Sequence, residues 1–106
     1  MRVFKLSDMT RGWFVGDFAP SALRTAAAEV AVQTYRAGAV EPRHVHRIAP
    51  EVTLILHGEA LMNGVRHGAG DIVLIEPGEA TDFEAVTDVT TVVVELPSVP
   101  GDKHPC

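Results

Sequence analysis

The chain has 106 residues and a mass of 11.4 kDa, a length that suits one domain. Hydrophobic residues make up 46 % and charged residues 22 %, the balance of a chain that buries a core rather than a disordered or fibrous one. Nine basic against fourteen acidic side chains leave a formal charge of −5, which opposes attraction to nucleic-acid phosphates and to anionic lipid, so neither partner is expected.

The first stretch, about residues 1–28, reads as an N-terminal arm. Asp8, Arg11 and Asp17 interrupt its apolar residues, so neither a signal peptide nor a membrane span is expected there. The only cysteine, Cys106, excludes an intramolecular disulfide and suits a reducing, cytoplasmic setting. Within the arm, Gly12–Ala19 carries Trp13, Phe14 and Phe18, more apolar surface than a small barrel covers, and predicts a homodimer. Ser21–Glu29, with its alanine run and Ser21 after Pro20, has the composition of a short helix.

From about residue 29 to residue 97 the pattern changes to β-branched runs of strand length: Glu29–Tyr35, Val52–Leu56, Ile72–Ile75 and Val89–Leu96. Turn residues separate them, including Asn63-Gly64, a hairpin signal in which both positions tolerate positive φ. Regularly spaced short strands describe an all-β sandwich or barrel. The last stretch, about residues 98–106, has Pro100, Gly101 and Pro105 and reads as a surface tail.

Candidate chemistry is concentrated between Gly38 and Gly58. His44 and His46 are two apart and so share one strand face, and Glu51, at the start of the next strand, can be brought opposite them across a hairpin. Two imidazoles and a carboxylate form a ligand set for a divalent ion, Fe, Mn, Ni or Zn, with positions left open for a small-molecule ligand. Alternation carries Thr53 and Ile55 on the face of Glu51, and places Thr81 and Phe83 on a common face. Tyr35 suits either a cavity wall or an outer strand face, and Glu76, before Pro77-Gly78, either a rim acid or a turn residue.

The spacing of Gly38, His44, His46, Glu51 and Gly58 resembles the first motif of the cupin superfamily at every position, and Gly70, Asp71 and Gly78 resemble part of the second. The resemblance implies a single antiparallel β-barrel of the double-stranded β-helix or jelly-roll type, with a metal held by His44, His46 and Glu51. The fourth ligand histidine of that family falls on Thr81, with Asp82 beside it. As function, the resemblance implies an enzyme of the oxygenase, isomerase or lyase class acting on a small polar molecule, with Glu76 and Asp82 as candidate catalytic bases. Two other readings stay open. His44–Glu51 resembles the corresponding stretch of metal-free sugar-nucleotide ketoisomerases, and a non-catalytic module for small molecules or sugars fits the same fold.

Overall fold

Side chains branched at Cβ pack well on a pleated surface, and the runs that carry them are the strands of the computed structural model, which describes residues 1–106. After two short 3-10 turns, Leu6–Asp8 and Thr10–Gly12, the strands follow as β1 Trp13–Gly16, β2 Leu23–Arg24, β3 Glu29–Tyr35, β4 Val40–Val45, β5 Glu51–His57, β6 Glu59–Met62, β7 Val65–Gly68, β8 Ile72–Ile75, β9 Thr81–Ala85, β10 Val89–Glu95 and β11 His104–Pro105. They form a sheet in the order β2-β1-β3-β10-β5-β8 and a second in the order β11-β4-β9-β6-β7. All pairings are antiparallel except that of β1 with β2. The two sheets enclose a jelly-roll barrel, the double-stranded β-helix that the motif spacing implies. No helix is long and apolar enough to cross a membrane.

One end of the barrel is closed by an apolar core of Ile55, Ala60, Met62, Ile75, Phe83, Ala85 and Val89. Burying each of the larger members contributes about 1.5–3 kcal/mol. The Asn63-Gly64 turn forms as expected, with φ of 50° and 76° and Met62 paired to Val65. Gly58 has φ 90°, and a Cβ there would stand 2.0 Å from the carbonyl oxygen of Asp88, so a side chain is excluded by both backbone and space.

The helix expected over Ser21–Glu29 does not form. Leu23–Arg24 instead pairs parallel to β1, and the Ala26 carbonyl accepts a hydrogen bond from the Ser98 backbone (2.9 Å), so tertiary pairing overrides alanine propensity. Arm and tail are both integrated into the fold. β1 extends the first sheet along β3, and β11 extends the second along β4. Trp13, Phe14 and Phe18 are half-buried, with the Trp13 and Phe18 rings edge to face at 6.4 Å. Exposed apolar side chains include Met1, Val3 and Phe4 of the arm and, on the outer face of the first sheet, Val52, Ile72 and Leu74. The register there aligns Val32, Val92, Leu54 and Ile72 in one row and Val30, Val94, Val52 and Leu74 in the next.

Candidate metal and ligand site

At the end of the barrel opposite the core, strand register creates an acidic row. Glu95 on β10 pairs with Glu29 on β3 and with Glu51 on β5, so these three carboxylates stand side by side on the inner face. Adjacent strands lie about 4.8 Å apart, a separation at which like charges oppose one another. Glu29 and Glu95 are buried, at 9 % and 7 % exposure. Each acid has its own partner: Ser98 Oγ donates to Glu29 Oε2 (2.8 Å), Thr53 Oγ1 donates to Glu51 Oε2 (2.9 Å), and His46 Nδ1 lies 2.8 Å from Glu95 Oε1.

His46 follows the end of β4 and is held through its backbone. Its carbonyl accepts from the Gly78 N–H at 2.7 Å. The next three N–H groups, of Arg47, Ile48 and Ala49, all donate to the carboxylate of Asp102, at 2.9, 3.1 and 3.0 Å. Burial opposes ionisation of Asp102, but those three hydrogen bonds outweigh it and hold the carboxyl below its ordinary range. Burial pushes Glu95 up to about 8, against the hydrogen bond from His46. That same hydrogen bond raises His46, against the opposing effect of burial. Both groups therefore hold their protons more tightly than they would in water.

Of the ligands expected from sequence, His46 and Glu51 converge, with Glu51 Oε1 at 3.9 Å from His46 Nδ1. Glu95 completes the group, the donor atoms of the three lying within 4.8 Å of one another. His44 adjoins this cluster and lines a small pocket together with His46 and Glu51. Its ring centroid is 5.2 Å from that of His46, and its Nδ1 is 2.9 Å from the Pro42 carbonyl oxygen, which makes Nδ1 the protonated nitrogen and leaves Nε2 free. One imidazole and two carboxylates fit a divalent ion such as Mn, Fe or Zn.

The cluster lies in the wall of a cavity of about 340 Å³, which Trp13, Phe18, Gln33 and Lys103 also line. Behind it is a second chamber of about 40 Å³, and His44 and Glu51 line both. Tyr35, Thr53, Thr81 and Phe83 line this inner chamber, which settles Tyr35 as an inward residue. Its hydroxyl lies 2.9 Å from Gln33 Oε1 and 3.2 Å from Glu41 Oε1; burial first, and then the Glu41 charge, push it above the ordinary tyrosine range.

Ile55 lies on the inner face but is fully buried in the apolar core and lines neither cavity. Glu76 is exposed, and its carbonyl closes the turn by accepting from Glu79 N–H at 3.1 Å. Asp82 reaches the edge of the inner chamber, but its Oδ1 accepts from the Asn63 N–H at 2.7 Å and so braces the hairpin. Sequence reasoning missed Glu95, Glu29, Ser98 and Asp102. The findable signal was that Glu29 opens and Glu95 closes a β-branched run, at positions that register can align.

No protein-family profile matches the chain, and no curated protein matches it. Solved structures do. A conserved protein with a double-stranded β-helix domain from Klebsiella pneumoniae superposes with a TM-score of 0.70 at 24 % identity, over 94 % of this chain and 88 % of that one. The DMSP lyase DddQ from Ruegeria pomeroyi gives 0.73 at 22 % identity, over 88 % of this chain and 49 % of that one. A sugar phosphate isomerase of the cupin superfamily from Silicibacter pomeroyi gives 0.62 at 21 % identity, over 68 % and 52 %. The chain thus has the double-stranded β-helix fold of cupins.

Proposed function

We propose that the chain is a metal-dependent cupin enzyme that moves a proton on a small polar molecule held in the mouth cavity. The observation that carries this reading is the convergence of His46, Glu51 and Glu95 in the wall of that cavity. A divalent ion held by these residues would supply Lewis acidity toward a substrate oxygen. Thr53 orients Glu51 through its hydroxyl, and the Asp102-anchored turn fixes the backbone that carries His46. In the ion-free site Glu95, pushed up to about 8, is poised as a general acid or base near neutral pH, a role for which exposed Glu76 and the hairpin-bound Asp82 are badly placed; holding an ion, it would be an ionised ligand instead. Isomerase or lyase chemistry fits such a group better than oxygenation. Two structural neighbours are described as a lyase and an isomerase.

Elemental analysis of tag-free protein, followed by titration with Mn, Zn and Ni salts, tests the site. His46→Ala should abolish binding with the fold retained, and Glu76→Gln should leave it unchanged. Failure of the wild-type protein to take up any of these ions would favour the metal-free ketoisomerase reading, in which histidines take a proton from the substrate and return it at the neighbouring carbon. Turnover separates either reading from a binding module.

The reading extends to a second copy of the chain. The two apolar rows on the outer face of the first sheet carry no charge, and Ile72 and Leu74 are 67 % and 55 % exposed. Pairing through this face would cover them, and sedimentation at micromolar concentration should give a dimer that Leu74→Lys converts to a monomer.

A further inference from the structure

The inner chamber contains two polar groups that the fold leaves unsatisfied. Thr81 and Thr91 are 6 % and 1 % exposed, both line the chamber, and neither hydroxyl has a hydrogen-bond partner among the protein groups. They come from different sheets, Thr81 from β9, opposite His44, and Thr91 from β10, between Gln33 and Ile55. A buried hydroxyl without a partner is destabilising, and valine, which has the same shape, would remove the cost. A residue that breaks a packing rule inside a cavity points to a ligand.

We propose that this chamber is a hydroxyl-binding subsite that receives the terminal hydroxymethyl group of a neutral polyhydroxylated ligand. Its volume of about 40 Å³ is about three times what one water-sized group needs, enough for two heavy atoms and too small for a ring. The two threonine hydroxyls each donate and accept, which suits an alcohol that does the same. The outer cavity, at about 340 Å³, takes the body of the molecule. The carboxylates of Glu29, Glu41, Glu51 and Glu95 around it favour a neutral ligand over an anion. Gln33, Glu41, His44 and Glu51, which line both spaces, form the neck between them. This subsite deepens the functional reading above and rests on the mouth cavity being the substrate site.

The test compares two pairs of sugars that differ by one terminal hydroxyl, D-glucose with 6-deoxy-D-glucose and D-galactose with D-fucose, using the fluorescence of Trp13, the only tryptophan, which lines the mouth. The wild-type protein should prefer the hydroxymethyl member of at least one pair by about tenfold. Thr91→Val and Thr81→Val should each reduce the preference to within twofold, and Thr91→Ser should restore it. Thr91→Val should also raise Tm by a few degrees, where a structural role predicts a fall. Equal affinities within both pairs, or no saturable binding of any of the four sugars, overturn the proposal. So does a lower Tm for Thr91→Val with the preference intact, which would assign the hydroxyls to structural water. Metal titration of the same variants separates the two readings: unchanged sugar preference in a protein that takes no metal defeats the metal site and leaves the subsite standing.

Discussion

The two ends of this barrel are built from the same strands and obey opposite rules. β10 starts at Val89, buried in the apolar core, and ends at Glu95 in the acidic row; β5 runs the other way, from Glu51 to Ile55. At the apolar end each side chain is satisfied by contact alone. At the acidic end, by contrast, each carboxylate depends on a specific hydroxyl or imidazole, and two hydroxyls in between have no protein partner. One end supplies the stability from which the other end subtracts, and for that reason changes at the two ends should have separable effects.

The largest effect is expected at the apolar end. Ile55→Ala should cost about 3 kcal/mol in urea denaturation and leave metal affinity within twofold, because Ile55 is fully buried and lines neither cavity. A large loss of metal affinity would mean that the ends are coupled.

The next effect concerns pH. Glu95 is raised from 4.5 to about 8 and His46 is raised above 6.5, so the folded chain keeps protons that the unfolded chain releases. That contribution is fully present below about pH 4.5 and is lost as pH rises through about 8. Metal-free protein should therefore lose roughly 2 kcal/mol of stability between pH 5 and 9, measured by denaturant unfolding at each pH. Saturation with a divalent ion should reverse the slope, because ligands bind metal when deprotonated. A metal-free protein whose stability rises over this range would contradict the assignment of Glu95.

The smallest effect is expected at Asp102. Asp102→Asn keeps an acceptor but removes the charge facing the Arg47, Ile48 and Ala49 N–H groups. It should cost about 1 kcal/mol and weaken metal binding a few-fold by loosening the turn behind His46, both measurable on one sample by denaturation and titration. Unchanged metal affinity would show that the turn is not what positions the imidazole.

Sequence patterning reveals the barrel and half of the cluster, for physical reasons that can be traced to particular residues. His46 and Glu51 lie within one hairpin, where local spacing determines which side chains can meet. Glu95 lies 44 positions beyond Glu51, and its face could not be read by alternation. In Val89–Glu95 the outward residues Val92 and Val94 are as apolar as the inward Val89 and Val93, so no polar parity marks the buried side. Alternation puts Thr81 and Phe83 on a common face, and both line the inner chamber. His44 was expected among the ligands because it shares a face with His46; the bond of its Nδ1 to the Pro42 carbonyl fixes the ring and leaves Nε2 free beside His46 and Glu51. Such a side-chain to backbone contact leaves no trace in spacing.

The Asp102 clamp also determines when, during synthesis, the site can exist. The turn behind His46 is tied by a carboxylate 53 to 55 positions downstream, and Glu29 is tied by Ser98, 69 positions downstream. Strands β3 to β10 can pair with one another and the Gly78 N–H can hold the His46 carbonyl, but the N–H groups of Arg47, Ile48 and Ala49 have no acceptor until Asp102 has followed. At about 5–20 residues per second, the seven residues from Glu95 to Asp102 take roughly a second or less to add, so the clamp is the last part of the site to be made. Any ligand that needs the turn behind His46 in place would therefore be bound late, by chains whose C-terminal residues have already docked.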